Sequence, residues 1–237
     1  MPEALSTWAV VVAGGSGERL GADRPKAFVR FGRRTLLAAS LGLFEDHEAI
    51  DGIVCVVPEG FEERTTLLAE DLGLSKLAAA VVGGPTRAAS VRCGLAEVPD
   101  RAHFVLVHDA ARPLATTGLI DRVLDGLAEG ADGVVPGLPV LDTVKRVDAE
   151  GRILATVERQ GLVGVQTPQG FVRRVLLEAY SGLDVIALEG ATDCASVLEL
   201  AGRGGVVCVA GDPENLKVTT TADLERARAL HAGRAAT

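Results

Sequence analysis

The sequence predicts a single three-layer α/β domain, a mostly parallel sheet with helices on both faces, plus a β-hairpin arm. Three observations carry this. Short runs of Val, Ile and Ala recur along the chain, amphipathic stretches lie between most of them, and residues 139–160 break the alternation. Strands apolar along their whole length are buried on both faces, which is the condition of parallel strands covered by crossover helices. With 237 residues, 48% of them apolar, the chain can bury a sizeable core as one domain over 1–237.

Six runs read as strands: Trp8 to Ala13, Ile53 to Val57, Ala79 to Val82, Phe104 to Val107, Gly133 to Pro136 and Val206 to Ala210. Between them, Thr35 to Phe44 has apolar residues at helical spacing, and Phe61 to Leu72 is charged and amphipathic. Pro85 opens a helix over Thr86 to Val98, since proline is favoured near a helix start. Helices are also expected over Thr117 to Ala128, Phe171 to Tyr180, Thr192 to Leu200 and Ala222 to His231. The exception, PVLDTVKRVDAEGRILATVERQ, alternates about a central Asp-Ala-Glu-Gly and reads as a β-hairpin. It is polar, with few large apolar side chains, so it is expected to leave the body and meet a second subunit. The whole is a Rossmann-like arrangement, in which ligands collect at the carboxyl ends of the strands.

Composition narrows the function. A net charge of −8 disfavours nucleic acid and anionic membranes, and 3% aromatics leaves few surfaces for stacking bases. No apolar run approaches the ~20 residues of a membrane span. MPEALSTWAVVVAGG lacks the basic start of a secretion signal, so a cytoplasmic protein is expected. The four cysteines, Cys55, Cys93, Cys194 and Cys208, form no C-x-x-C pair and are expected to be reduced and mostly buried.

The first strand runs into AGGSGERLGADRPKAF. Leu20 stands where G-x-G-x-x-G needs its third glycine, and there is no Gly-Lys-Ser/Thr triplet of a Walker loop. Backbone N–H groups of such a turn can still cradle an anion, with Arg19 as a charged fork and Lys26 as a point charge. Another strand ends in His108-Asp109-Ala110-Ala111-Arg112. Asp109 is a candidate Mg²⁺ ligand beside phosphates. His108 points to the opposite face and is expected to be structural. Lys217, after the last strand, can reach the same cleft, whereas Arg159 closes the arm and by itself reads as a rim charge. His47, His103 and His231 lie in ordinary contexts, and no Ser/His/Asp set or close carboxylate pair is found. The absence of a general base fits a nucleophile that is itself a phosphate, already mostly dianionic at pH 7 with its second pKa near ~6. Alignment and charge neutralisation then suffice, which favours nucleotidyl transfer over hydrolysis or hydride transfer.

Seven motifs occur in order over nearly the whole chain: the loop above, GGPTRAASV, VLVHDAARP, LDTVKRV, TVERQGLVGVQTPQGF, TDCAS and NLKVTT. Together they resemble the 2-C-methyl-D-erythritol 4-phosphate cytidylyltransferase family of the non-mevalonate isoprenoid pathway. The resemblance implies a reaction of CTP with a small alcohol phosphate, aided by Mg²⁺ or another divalent cation. It implies that Arg19 and Lys26 stabilise charge at the α-phosphate, and that loop residues Ala13, Gly14, Gly15, Ser16 and Gly17 cradle the nucleotide. Gly84 and Ser90 would read the base and ribose, with Asp109 and Ala110 near the ribose and metal. Arg159 and Lys217 would position the alcohol phosphate, assisted by Thr143 and Thr167, and the arm would cross a homodimer so that Thr143 and Arg159 serve the partner's site. The chain departs from the family at Val12-Ala13-Gly14-Gly15, where P-A-A-G is common, at Cys194, where an acid is common, and at Glu214, where aspartate is common. Ribitol 5-phosphate cytidylyltransferases share the loop and chemistry and are the alternative. A nucleotide-sensing module on the same fold is expected to lose some of these cations.

Overall fold

The computed structural model describes residues 5–15 and 24–234. Its central sheet has eight strands. Five run through the middle and one flank: β1 (Ser6–Val12), β4 (Gly52–Val57), β5 (Leu77–Val82), β6 (Ala102–Asp109) and β7 (Gly133–Pro139). β10 (Val163–Val165) and β11 (Gln169–Val172) are antiparallel to their neighbours, and β12 (Val206–Ala210) lies parallel to β7. The order is β10-β7-β11-β6-β1-β4-β5, with β12 on β7. The expected mostly parallel, doubly covered sheet is present.

Alternation along the strands splits the core in two. Trp8 and Val10 of β1 face one cluster with Val54, Val56, Val105 and Val107. Ala9 and Val11 face the other with Ile53, Cys55, Phe104 and Leu106. Consecutive residues thus enter opposite layers, and each large aliphatic side chain contributes about 1.5–3 kcal/mol by leaving water. Helices α3 (Arg87–Ala96), α5 (Arg173–Gly182) and α7 (Cys194–Leu200) cover the first face. Helices α1 (Leu36–Glu45) and α4 (Thr117–Ala128) cover the second. The short α6 (Val185–Glu189) follows α5, and α2 (Glu62–Leu72) precedes β5. A small third cluster lies under α8 (Thr221–Arg234), where Leu224 and Ala227 meet Phe31, Leu36, Leu114 and Val218. A two-residue ladder, β2 (Arg30–Phe31) with β3 (Arg34–Thr35), leads into α1, whose first turn Thr35 caps by accepting from the Ala38 N–H at 3.1 Å.

From the sequence, Phe171 is expected to open a helix. In the structure Gln169–Val172 is a strand between β6 and β7, and the helix begins at Arg173. Four residues are too few to show a period, and the fully buried Phe171 ring is drawn into the sheet by its neighbours. The cysteines also differ in part from expectation. Cys55 and Cys194 are buried, Cys93 is half-buried, and Cys208 is exposed on β12.

The arm forms its own two-stranded sheet, β8 (Val144–Val147) against β9 (Ile153–Val157), with Val144 opposite Val157. Asp148 closes its turn by accepting from the N–H groups of Glu150 and Arg152. From Leu141 to Val165 every residue is exposed except the half-covered Val144, Asp148 and Val157. The arm is more apolar than its sequence suggests. Leu141 is 80% exposed, and Val147, Ile153 and Leu154 are exposed too.

Candidate active site

A cavity of about 250 Å³ opens at the carboxyl ends of β1 and β6. Ala13, Gly14 and Gly15, directly after β1, form one wall, and Lys26 reaches it from a single 3₁₀ turn over Lys26–Phe28. The Lys26 N–H donates to the Gly15 carbonyl at 3.1 Å, so the lysine is anchored to the loop after β1. Gly84 and Ser90 form the facing wall. Thr86 caps α3 by accepting from the Ala89 N–H at 3.1 Å, and the Ser90 hydroxyl donates to the Gly84 carbonyl at 3.2 Å. A Cβ on Gly84 would stand 2.5 Å from that of Ala89, so only glycine lets the loop fold back on the helix start.

Asp109, Ala110 and Lys217 also line it, with Arg87. Asp109 is nearly buried and held between two cations. Arg87 Nε donates to its Oδ1 at 2.9 Å and Lys217 Nζ to its Oδ2 at 2.6 Å. Burial alone would raise the Asp109 carboxyl, but Arg87 and Lys217 outweigh it and hold it well below the usual carboxylate range. Arg87 is a cleft residue that stands within GGPTRAASV and has no role expected from the sequence. A signal was present: it is the first residue of α3, where the helix dipole disfavours a cation, so a nearby carboxylate is called for. Its Nη1 also lies 3.7 Å from Cys194 Sγ, whose thiol burial pushes up.

His108 stands behind this floor with no exposed surface, as a structural residue should. Burial pushes it down to about 4, so it is neutral at pH 7. Its hydrogen bonds then have one consistent direction. Nε2–H donates to the Arg112 carbonyl at 3.3 Å, and Nδ1 accepts from the Thr167 hydroxyl at 3.1 Å. Thr167 Oγ1 in turn accepts from the Asp109 N–H at 3.0 Å. The Thr167 hydroxyl is therefore committed to holding Asp109 from behind.

The structure thus brings together Ala13, Gly14, Gly15, Lys26, Gly84, Ser90, Asp109, Ala110 and Lys217, with Thr167 one layer below. Thr143 and Arg159 are on the exposed arm and do not line this cleft within one chain. Ser16, Gly17 and Arg19 lie outside the described residues. Among the described residues, no group of three His, Cys, Asp or Glu could hold a metal ion, and no helix is long and apolar enough to cross a membrane.

The family model for IspD, 2-C-methyl-D-erythritol 4-phosphate cytidylyltransferase, matches residues 7–232. The enzyme of that name from Rhodococcus jostii is 45% identical over 223 residues, covering 94% of this chain and 93% of its own. Among solved structures, 4-diphosphocytidyl-2C-methyl-D-erythritol synthase from Anaerococcus prevotii superposes with a TM-score of 0.83 at 27% identity, covering 97% of each chain. The 2-C-methyl-D-erythritol 4-phosphate cytidylyltransferase of Thermus thermophilus has a TM-score of 0.74 at 33% identity, covering 94% of this chain and 98% of its own. Sequence and fold agree over nearly the full length, and the chain belongs to the 2-C-methyl-D-erythritol 4-phosphate cytidylyltransferase family.

Proposed function

We propose that this cleft is where the chain, a CTP-dependent cytidylyltransferase by family, joins CMP to 2-C-methyl-D-erythritol 4-phosphate. The products are pyrophosphate and 4-diphosphocytidyl-2-C-methyl-D-erythritol, an isoprenoid precursor. The observation that carries the site assignment is the meeting of Lys26, Asp109 and Lys217 beside the glycine loop. An oxygen of the alcohol phosphate attacks the α-phosphorus of CTP. The bond from that phosphorus to the α,β-bridging oxygen breaks, and its electron pair leaves with pyrophosphate. No base is needed, because the attacking phosphate is already mostly dianionic at neutral pH.

Loop residues Ala13, Gly14, Gly15, Ser16 and Gly17 cradle the triphosphate, and Lys26 with Arg19 meets the charge that grows at the α-phosphate. Gly84 and Ser90 form the wall against the nucleoside, with Ala110 and Asp109 toward the ribose. Lys217 takes the alcohol phosphate, and its contact with Asp109 keeps the ammonium pointed into the cleft. Thr167 assists through Asp109, whose backbone it fixes.

A divalent cation fits in one way. Asp109 is the one carboxylate among the described lining residues, and each of its oxygens already accepts from a cation. Mg²⁺ is commonly bound through one or two carboxylates plus substrate phosphates, so the phosphates would hold it chiefly and Asp109 from the protein side. When bound, the ion neutralises phosphate charge.

Arg159 and Thr143 complete the alcohol-phosphate site from the arm of a second subunit. The exposure of Leu141, Ile153 and Leu154 supports a partner there, since large apolar side chains this exposed leave water when a second chain covers them. The net acidic chain and its soluble phosphate substrates favour the cytoplasm.

A pyrophosphate-release assay tests the reading. Wild type is expected to use CTP with 2-C-methyl-D-erythritol 4-phosphate in preference to ATP, GTP or UTP, and to ribitol 5-phosphate. Lys26→Ala should slow release about 10²–10³-fold or more while remaining folded. Equal use of ribitol 5-phosphate would overturn the substrate, and wild-type rate in the variant would overturn the role of Lys26.

A further inference from the structure

We propose that Gln166 is a positioning residue that holds the Lys217 loop against the root of the arm. The proposal rests on the reading of Lys217 as the residue that takes the alcohol phosphate. Gln166 directly follows β10, the strand by which the chain returns from the arm, and is 5% exposed. Its backbone N–H donates to the Pro136 carbonyl at 2.7 Å, on β7, the strand from which the arm departs. The side chain crosses to the loop after β12. Nε2 donates to the carbonyls of Asp212 at 2.9 Å and Asn215 at 3.4 Å. Oε1 accepts from the Asp212 N–H at 3.0 Å and from Asn215 Nδ2 at 3.4 Å.

A carboxamide that meets both the N–H and the C=O of one residue imitates a strand partner. The loop 211–215 is thus docked as if onto a ladder, although it forms no strand. The approach is close. A Cβ on Gly211 would stand 2.8 Å from Gln166 Oε1 and 3.0 Å from the Gly137 carbonyl. Two further contacts tie the same parts. Buried Asn215 donates through Nδ2 to the Thr167 carbonyl at 2.9 Å. Arg112 donates through Nη1 to the Asn215 carbonyl at 2.7 Å and through Nη2 to the Val165 carbonyl at 3.3 Å. Lys217 follows Asn215 by two residues and reaches Asp109. Gln166 therefore pins the loop that aims Lys217 to the place where the chain returns from its arm. Gly84 and Ser90 of the nucleotide wall make no direct hydrogen bond to Gln166, Asp212 or Asn215, whose partners lie on β7, the Lys217 loop, Arg112 and Thr167.

Steady-state kinetics of the full-length Gln166→Met, Lys217→Ala and double variants, with thermal melts, test the inference. Gln166→Met is expected to raise KM for 2-C-methyl-D-erythritol 4-phosphate about tenfold and to leave KM for CTP within about twofold. In the Lys217→Ala background the same substitution should add little, because its effect runs through Lys217. Equal rises in both KM values, no rise, or full multiplication of the two effects would each overturn the proposal. If Lys217→Ala leaves the alcohol-phosphate KM unchanged, the reading of Lys217 itself falls and takes this proposal with it. Should Gln166→Met melt too low to assay, Gly211→Ala opens the same contact from the loop side and is read by the same criteria.

Discussion

His108 shows how one buried side chain ties two segments together, with Arg112 on one side and Thr167 on the other. It is neutral because burial holds it at about 4, and only the neutral ring can accept from Thr167 while donating to Arg112. Unfolded, the ring takes a proton near its ordinary 6.5, so between 6.5 and about 4 the unfolded chain binds the extra proton. The contribution of His108 to stability is full above 6.5 and is lost as pH falls through that window. The loss reaches on the order of 3 kcal/mol at its end. Urea unfolding of wild type and His108→Asn across pH 7 to 4 checks this. The variant is expected to be less stable at pH 7 and to show a flatter slope, and an equal slope in both would refute it. Asp109 titrates below this window, because Arg87 and Lys217 depress it, so the two residues are separable.

At the scale of elements, the start of α3 and the arm do different work. The start of α3 is made rigid by its Thr86 cap and by the glycine that folds against it, and it delivers Arg87 to Asp109. The arm is nearly all surface, so its apolar side chains contribute little to the stability of their own chain. Ile153→Asp should therefore shift stability by no more than about 0.5 kcal/mol. If the arm seats on a second subunit, the same change buries a carboxylate and should convert a dimer to monomer in sedimentation or light scattering. A monomeric wild type, or a variant dimer of undiminished affinity, would count against the arm as the interface. β11 makes the opposite point. It is too short to read from its own pattern, yet it fills the place between β6 and β7 and starts at Gln169, which donates to Asp193 at 2.7 Å.

For the whole molecule, the proposal divides one active site between two chains, with body residues such as Lys26 on one and Arg159 on the other. Mixing Lys26→Ala with Arg159→Ala subunits discriminates. After random exchange half of the dimers are mixed, and each mixed dimer has one site with both lesions and one with neither. About a quarter of sites should recover. If each chain instead used its own arm, every site would keep one lesion and no activity would return. Absence of rescue after demonstrated exchange would exclude the crossed arrangement.

The α/β alternation, the hairpin and the cationic strand ends could be read directly, because burial on both faces, period-two alternation and glycine-rich turns each leave a local mark. Asp109 could be named because it ends a strand, and Lys26 and Lys217 because each lies in the loop that follows one. Arg87 and Gln166 stand within two of the motifs without a role of their own, and Phe171 and Val172 of β11 carry the pattern of the helix that follows. Their meaning lies in partners distant along the chain: Arg87 with Asp109, and Gln166 with Asp212 and Asn215. Residue order dictates which segments become strands and which chemistry stands at their ends, since those are short-range consequences of side-chain shape and polarity. Which cation neutralises which carboxylate, and which amide docks which loop, follows only when the folded sheet brings those ends together. Desolvation then gives each pairing its weight, because a buried polar group left without its partner costs about 1–3 kcal/mol.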